Sequence, residues 1–192
     1  MHLDLGCGLF PRDGYEGVDK ALLPGVEWQV DLATFPWPWD DDAVEGVHCN
    51  QLVEHVVDLV GFMAELHRVC KDGAEVHILH PYQFNVRAWQ DPTHVRCLNE
   101  VSFFYYDKGW RNDQWPEYGS TDFEVVDLDA IPEENWKEIA GEFPEEFERA
   151  CRNQINVIAD LHWVLRCRKT PPTVLEDYEN AVRSNRIITG LA

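Results

Sequence analysis

The first eighty residues alternate between short apolar runs and turn residues. Apolar runs of four to eight residues bounded by glycine, proline or aspartate are typical of strands. They predict five strands, at residues 2–5, 15–18, 27–30, 44–49 and 74–79. Between the last two strands, apolar residues recur at helical spacing after Asp58, which predicts an amphipathic helix that ends at Lys71-Asp72-Gly73.

The second half of the chain adds two more apolar runs, which predict strands at 123–128 and 157–167 around an acidic helical insert at 133–151. Strands that alternate with helical segments favour a parallel sheet wound on both faces. We therefore predict a single α/β domain at 1–170. Residues 82–118 are rich in aromatic side chains and predict a cap over the substrate, and 171–192 predict a C-terminal helical tail.

The charge balance narrows the function classes. The chain has 192 residues, 16 lysines plus arginines and 35 aspartates plus glutamates, for a formal net charge of −19. Such a charge repels nucleic acid and anionic membranes at long range, so neither is an expected partner. No apolar run is long enough to span a bilayer, and the start lacks the layout of a signal peptide. We expect a cytoplasmic protein whose six scattered cysteines are reduced thiols.

A glycine motif carries the chemistry. The first predicted strand runs into Asp4-Leu5-Gly6-Cys7-Gly8, where glycines allow the backbone to approach a ligand. Pro11 stands where a dinucleotide-binding motif has its third glycine, and Asp19 comes too early for the acidic residue of that motif. These features argue against a nicotinamide-dependent oxidoreductase. With Asp31 at the end of the third strand, they predict a pocket for an adenosine compound that lacks a pyrophosphate.

The residues resemble a known family at this point. The segments HLDLGCG, GYEGVDK, VDLATFPWPWDDDAVEGVHCNQLVEHV and FMAELHRVCKDGAEVHILHPY are similar to the class I S-adenosylmethionine-dependent methyltransferases, over about residues 2–82. The resemblance implies a doubly wound, seven-stranded sheet, mostly parallel with the last strand antiparallel, with helices on both faces. It also implies S-adenosyl-L-methionine as the cofactor.

The resemblance assigns the cofactor to residues at the ends of successive strands. Gly6 and Gly8 would floor its methionine part, Asp19 would hold the ribose hydroxyls, and Asp31 with Leu32 would face the adenine. Asp4 would lie near the cofactor through a hydrogen bond or water, and Cys7 belongs to the glycine turn. Asn50 and Gln51 would border the methyl-transfer cleft.

The best candidate for catalysis lies in the loop at 90–96. His94 could act as a general base toward a hydroxyl or protonated amine, with Asp91 close enough in sequence to orient it. The same histidine could instead be a loop residue that ties down backbone. No histidine or cysteine spacing predicts a metal site, and Val53-Glu54-His55 is expected to shape the cleft. Four basic residues, Arg87, Arg96, Lys108 and Arg111, could attract an anionic acceptor or be surface charge.

The sequence thus predicts a methyltransferase that acts on a polar small or medium acceptor, either a small molecule or a peptide. The alternative is a methyltransferase-like scaffold subunit that binds the cofactor without activity of its own. Many similar proteins have a helix before the first strand, whereas here that strand begins almost at Met1. We expect the missing lid to come from a helix at 174–188 or from a second subunit in a homodimer.

Overall fold

The computed structural model describes residues 1–111 and 115–170, and the predicted tail at 171–192 lies wholly outside them. Seven strands form one sheet in the order β3-β2-β1-β4-β5-β7-β6. The strands are β1 (His2–Leu5), β2 (Glu16–Asp19), β3 (Val26–Gln29), β4 (Val44–Asn50), β5 (Cys70–Pro81), β6 (Phe123–Pro132) and β7 (Ile158–Cys167). The five α-helices are α1 (Leu59–Val69), α2 (Arg87–Gln90), α3 (Lys108–Arg111), α4 (Lys137–Glu142) and α5 (Pro144–Asn153).

The topology confirms the predicted fold class. Strands β1 to β5 pair in parallel, and β7 inserts between β5 and β6, antiparallel to both. All seven predicted strands are present. Because parallel strands place their carboxyl ends at one edge, the residues after β1, β2, β3 and β4 meet there.

Two local predictions need correction. The segment Lys71-Asp72-Gly73 is not the stop of a helix but lies within β5. The pairing of β5 with β4 shifts register here, between Val44 and Gly46 of β4. Gly73 has a positive φ of 80°. The helix α1 already ends at Val69, whose successor Cys70 donates its amide to the Leu66 carbonyl. The connections from β1 to β4 contain no helix, so this half of the sheet alternates with loops.

The two faces of the sheet differ in polarity. Leu3, Leu5, Val47, Val76 and Leu165 are fully buried in one core together with the apolar side of α1. Asp58 caps the start of that helix, and its carboxylate accepts a hydrogen bond from the Gly61 amide at 2.8 Å. On the opposite face, the register aligns polar side chains across three strands, namely Asp4, His48 and His77.

The aromatic segment, residues 82–118, packs in part against β7. Phe103 and Phe104 are buried and contact Trp163 of β7, with ring centroids 5.3 Å and 5.8 Å apart. Phe84 and Trp89, in contrast, are exposed by 51% and 70%. This segment therefore has a packed part and an exposed apolar part.

Candidate functional site

The glycine turn follows β1 and is fastened to β2. The amides of Gly6 and Cys7 both donate to the Val18 carbonyl, at 2.8 Å and 3.1 Å. Gly6 and Gly8 have φ angles of 69° and 57°, which favour glycine over any residue with a side chain. A Cβ at Gly6 would lie 3.0 Å from a Leu52 methyl, whereas one built at Gly8 would have no atom of the other described residues within 4 Å, its chain neighbours apart. The turn therefore presents backbone, with open space beside Gly8.

Asp19 ends β2 next to this turn. Its Oδ2 accepts a hydrogen bond from the Gly8 amide at 3.1 Å, and its Oδ1 accepts one from the Ala21 amide at 2.8 Å. Each carboxylate oxygen has a second lone pair, so the group can still accept from a diol. One loop further on, Asp31 Oδ1 accepts from the Ala33 amide at 3.0 Å, and its side chain is exposed.

These residues line one hollow at the carboxyl edge of the sheet. It contains four of the residues predicted to bind the cofactor, which are Gly6, Asp19, Asp31 and Leu32. Leu52, His55 and Val56, which follow β4, also line it and were not assigned to the cofactor from the sequence. Their signal was their place after a parallel strand, since every such strand end reaches this edge.

Other predicted cofactor residues have different surroundings. Asp4 is buried, with Oδ2 accepting from the Arg12 amide at 2.8 Å and Oδ1 bonded to His48 Nδ1 at 2.9 Å. It thus holds the loop after the glycine turn. Gln51 has a φ of 52° and donates from Nε2 to Asp160 Oδ1 at 3.1 Å, which joins the end of β4 to β7.

The remaining two predicted residues flank these. Cys7 is partly buried within the turn, and burial together with the nearby Asp4 and Asp19 carboxylates raises the pKa of its thiol. Asn50, the last residue of β4, is exposed. Five of the nine predicted cofactor residues are therefore not among those that line the hollow: Asp4, Cys7, Gly8, Asn50 and Gln51.

A 3₁₀ turn at Val53–His55 brings the edge of the hollow against the predicted catalytic loop. The Val95 amide donates to the Glu54 carbonyl at 2.9 Å, and the rings of His55 and His94 meet edge to face, 4.7 Å apart. The loop at 90–96 therefore does lie beside the hollow.

Glu54 is the unusual side chain of this turn. It is 2% exposed, and neither carboxylate oxygen has a hydrogen-bond partner in the described part of the chain. Desolvation raises the pKa of Glu54 to about 7. A carboxyl group buried without a partner is costly, so its presence calls for an explanation.

His94 is oriented by backbone. Its Nδ1 donates to the Ala88 carbonyl at 3.0 Å, whereas its Nε2 lies 3.9 Å from Asp91 Oδ2, beyond hydrogen-bond range. Asp91 Oδ1 instead accepts from the amide and hydroxyl of Thr93, at 2.8 Å and 2.7 Å. Proton transfer by His94 stays a prediction, with Ala88 as the group that fixes its ring.

The basic residues considered for an anionic acceptor are partly occupied. Arg87 pairs with Asp160 at 3.2 Å. Arg111 is buried and donates to the carbonyls of Gly119 and Thr121, at 3.1 Å and 2.9 Å. Arg111 therefore holds the backbone at the end of the aromatic segment in place.

Comparison with known proteins gives one family-model match and several solved structures of similar fold. Residues 16–78 match the family model described as a methyltransferase domain. The fold is similar to a SAM-dependent methyltransferase from Archaeoglobus fulgidus (15% identity, 86% of this chain and 85% of that chain covered, TM-score 0.59). It is also similar to a chain in the complex that contains the Trm112 methyltransferase activator of Haloferax volcanii (18%, 89% and 83%, 0.55).

The same fold is shared by the [4+2]-cyclase SpnF (12% identity, 87% of this chain and 75% of that chain covered, TM-score 0.55). No curated protein matches the sequence. In the described residues, no helix is long and apolar enough to cross a membrane.

The family-model match spans residues 16–78 of this 192-residue chain, and the solved structures named above share its fold at 12–18% identity. These similarities imply S-adenosylmethionine as the cofactor. A backbone turn floors the hollow, a carboxylate with free lone pairs ends β2, and an apolar wall of Leu32 and Leu52 closes it.

Proposed function

We propose that the chain transfers a methyl group from S-adenosylmethionine to a polar acceptor of small or medium size. The observation that carries this proposal is the hydrogen bond from the Gly8 amide to the Asp19 carboxylate. It ties the glycine turn of β1 to the end of β2, so one unit presents both a backbone floor and a diol acceptor.

Each element has a separate task in this proposal. Gly6 and Gly8 leave room for the methionine part, Asp19 accepts from the ribose hydroxyls, and Asp31 with Leu32 bounds the adenine. When bound, the cofactor supplies an activated methyl group on a sulfonium. The protein then mainly aligns donor and acceptor and keeps out water, because such a displacement removes charge and needs little acid catalysis.

The acceptor side of the cleft is proposed to lie toward the loop at 90–96 and the exposed part of the aromatic segment. His94 contacts His55, which lines the hollow, so the loop is next to the cofactor side. Phe84, Trp89 and Ile155 line a separate apolar hollow that fits a carbon framework on the acceptor. This arrangement suits an organic molecule with one polar reactive group.

Calorimetric titration of the full chain with S-adenosylhomocysteine tests the cofactor site. We expect one site per chain, and Asp19→Ala should weaken binding by about 10-fold or more, since hydrogen bonds to a charged group contribute about 1.5–3 kcal/mol. Asp129→Ala, an exposed carboxylate on β6, is the matched control and should bind as the wild type does. Absence of binding to the wild type would contradict the proposal.

A measurement of methyl transfer distinguishes a methyltransferase from the alternative, a scaffold that binds the cofactor without activity. A scan of polar acceptors with radiolabelled S-adenosylmethionine should give a labelled product if the chain is a methyltransferase. Cofactor binding without product over hydroxyl, amine and carboxylate acceptors would favour the scaffold. The complex of a chain of similar fold with the Trm112 activator makes a partner-dependent assay a useful second arm.

A further inference from the structure

Three side chains that could ligate a metal ion converge next to the cofactor hollow. Glu54, His55 and His94 each offer one ligand atom, and these atoms all lie within 4.8 Å of one another. Two of the residues are adjacent on the 3₁₀ turn after β4, and the third comes from a loop about forty positions further along. No spacing in the sequence indicates this cluster, because the loop and the turn meet only in the folded chain.

The two histidines are held in the form that a metal ion requires. His94 Nδ1 donates to the Ala88 carbonyl at 3.0 Å. His55 Nδ1 lies 3.0 Å from Thr93 Oγ1, and this hydroxyl in turn donates to Asp91 at 2.7 Å, so His55 must be the donor. Both rings therefore carry their proton on Nδ1 and keep a lone pair on Nε2. Such outer contacts to carbonyl, hydroxyl and carboxylate groups are typical of metal-binding histidines.

Glu54 gives the second, independent observation. Glu54 is 2% exposed, and both of its carboxylate oxygens lack a hydrogen-bond donor in residues 1–111 and 115–170. Its charged neighbours are His94, which favours the carboxylate form and belongs to the cluster, and the acidic Asp160 and Asp91, which oppose it. Asp160 is already paired with Arg87, so that arginine does not neutralise Glu54. A cation between Glu54 and the two imidazoles would supply the missing partner.

From this geometry we infer that Glu54, His55 and His94 form a binding site for one divalent transition-metal ion at the acceptor side of the cleft. Two imidazoles and one carboxylate suit zinc, manganese or iron and leave coordination positions open. This departs from the sequence prediction of no metal site. It also assigns the Nε2 lone pair of His94 to the ion, so this nitrogen would not act as the general base.

The site narrows the acceptor class, a step that rests on the proposed function. A divalent ion with open positions binds an oxygen atom of the acceptor and lowers the pKa of a hydroxyl group. In the transfer, the acceptor O–H bond breaks and its proton passes to water beside the exposed Asp91. The oxygen lone pair forms the new O–CH₃ bond. The S–CH₃ bond breaks, and its electron pair stays on sulfur as the neutral thioether. We therefore expect a hydroxyl-bearing acceptor.

The test measures metal and cofactor binding separately on the full chain. After treatment with a chelator, the protein is dialysed against Zn²⁺ or Mn²⁺ and its metal content is determined, while S-adenosylhomocysteine binding is followed by calorimetry. We expect one ion per chain with at least one of the two metals. Glu54→Gln and His94→Gln should each weaken that binding by on the order of 100-fold or more, since even outer-shell changes cost 10–100-fold.

Matched variants guard against unfolding and unspecific binding. His162 of β7 pairs with His77 of β5 and is not part of the cluster. The His162→Gln variant should therefore bind metal as the wild type does. Thermal melting of the metal-free proteins checks that each variant folds, and His55→Gln provides a third ligand change. Stoichiometric binding that is lost in the folded cluster variants but kept in His162→Gln supports the site.

Two results would overturn the inference. One is a wild-type chain that binds S-adenosylhomocysteine but takes up neither ion, which would leave the proposed function standing. The other is metal binding that persists unchanged in folded Glu54→Gln and His94→Gln. Metal uptake at the cluster without any cofactor binding would instead support the site and count against the proposed methyltransferase.

Discussion

The Gly8 amide and the Asp19 carboxylate are joined by a hydrogen bond of 3.1 Å across the carboxyl ends of β1 and β2. The glycine turn and the carboxylate that we propose accepts from a ribose are thus joined in one unit. Gly6 completes it, because its amide bonds to Val18, the residue immediately before Asp19. A change at either glycine is therefore expected to disturb the cofactor site beyond its own position.

Gly6→Ala should lower both stability and affinity for S-adenosylhomocysteine. The φ of 69° costs an L residue roughly 1–2 kcal/mol, and the new methyl group would press on Leu52, which lines the hollow. Gly14→Ala is the matched control, because Gly14 has a φ of 81° in the same connection, and apart from its chain neighbours no atom of the described part of the chain lies within 4 Å of its Cβ position. We expect similar losses in urea stability from backbone strain, but weaker calorimetric binding only for Gly6→Ala. Equal affinity in both variants would contradict the role of Gly6.

His94→Gln should lower methyl transfer while leaving S-adenosylhomocysteine affinity within about twofold, since His94 touches His55 but does not itself line the hollow. Loss of a general base costs about 10²–10⁴ in rate, and loss of a metal ligand can cost as much. Rates measured with and without added Zn²⁺ or Mn²⁺ separate the two roles. A wild-type rate that is independent of metal and chelator favours the base. An unchanged rate in His94→Gln would exclude both.

Acid should destabilise the protein through His80. This ring is fully buried, donates from Nδ1 to the Pro81 carbonyl and accepts from Trp163 Nε1 at 3.1 Å, so only the neutral form fits. Burial lowers the pKa of His80 to about 4. The unfolded chain binds the proton first, so this contribution is present above pH 6.5 and is lost as the pH falls toward 4, up to ~3 kcal/mol.

Urea unfolding at about pH 7 and about pH 5 checks this expectation. The wild type should lose more stability between the two than His80→Gln, because glutamine keeps a donor and an acceptor but does not titrate. A variant with the same pH dependence as the wild type would show that His80 does not titrate as described.

Arg168→Met should destabilise the fold strongly. Arg168 Nη2 contacts Asp107 at 2.5 Å and Asp122 at 2.9 Å, and both carboxylates are buried. Removal of the cation leaves two buried negative charges, which costs about 3–5 kcal/mol. Arg166→Met, where both ion pairs are 3.4 Å long and solvent-exposed, should cost about 0–1 kcal/mol. Similar urea midpoints for the two variants would count against this assignment.

Much of the fold follows from local sequence. Buried strands and the helix α1 show their period directly, because each must place apolar residues on one side of a fixed backbone geometry. The strand ends at Gly6, Asp19 and Asp31 were also evident, and their approach to one hollow follows from parallel pairing. The register shift at Lys71–Gly73 could not be predicted, since it depends on how β5 meets β4.

The sequence by itself determined the order of the strands along the chain, the glycine turn and the acidic strand ends, because these rest on backbone sterics and hydrophobic period. Only the tertiary structure decided which distant side chains share an environment. Glu54 and His94 lie forty residues apart, and their contact depends on how the loop at 90–96 folds back over the end of β4. The burial that leaves Glu54 without a partner is likewise a property of packing, since solvent would otherwise satisfy the same carboxylate.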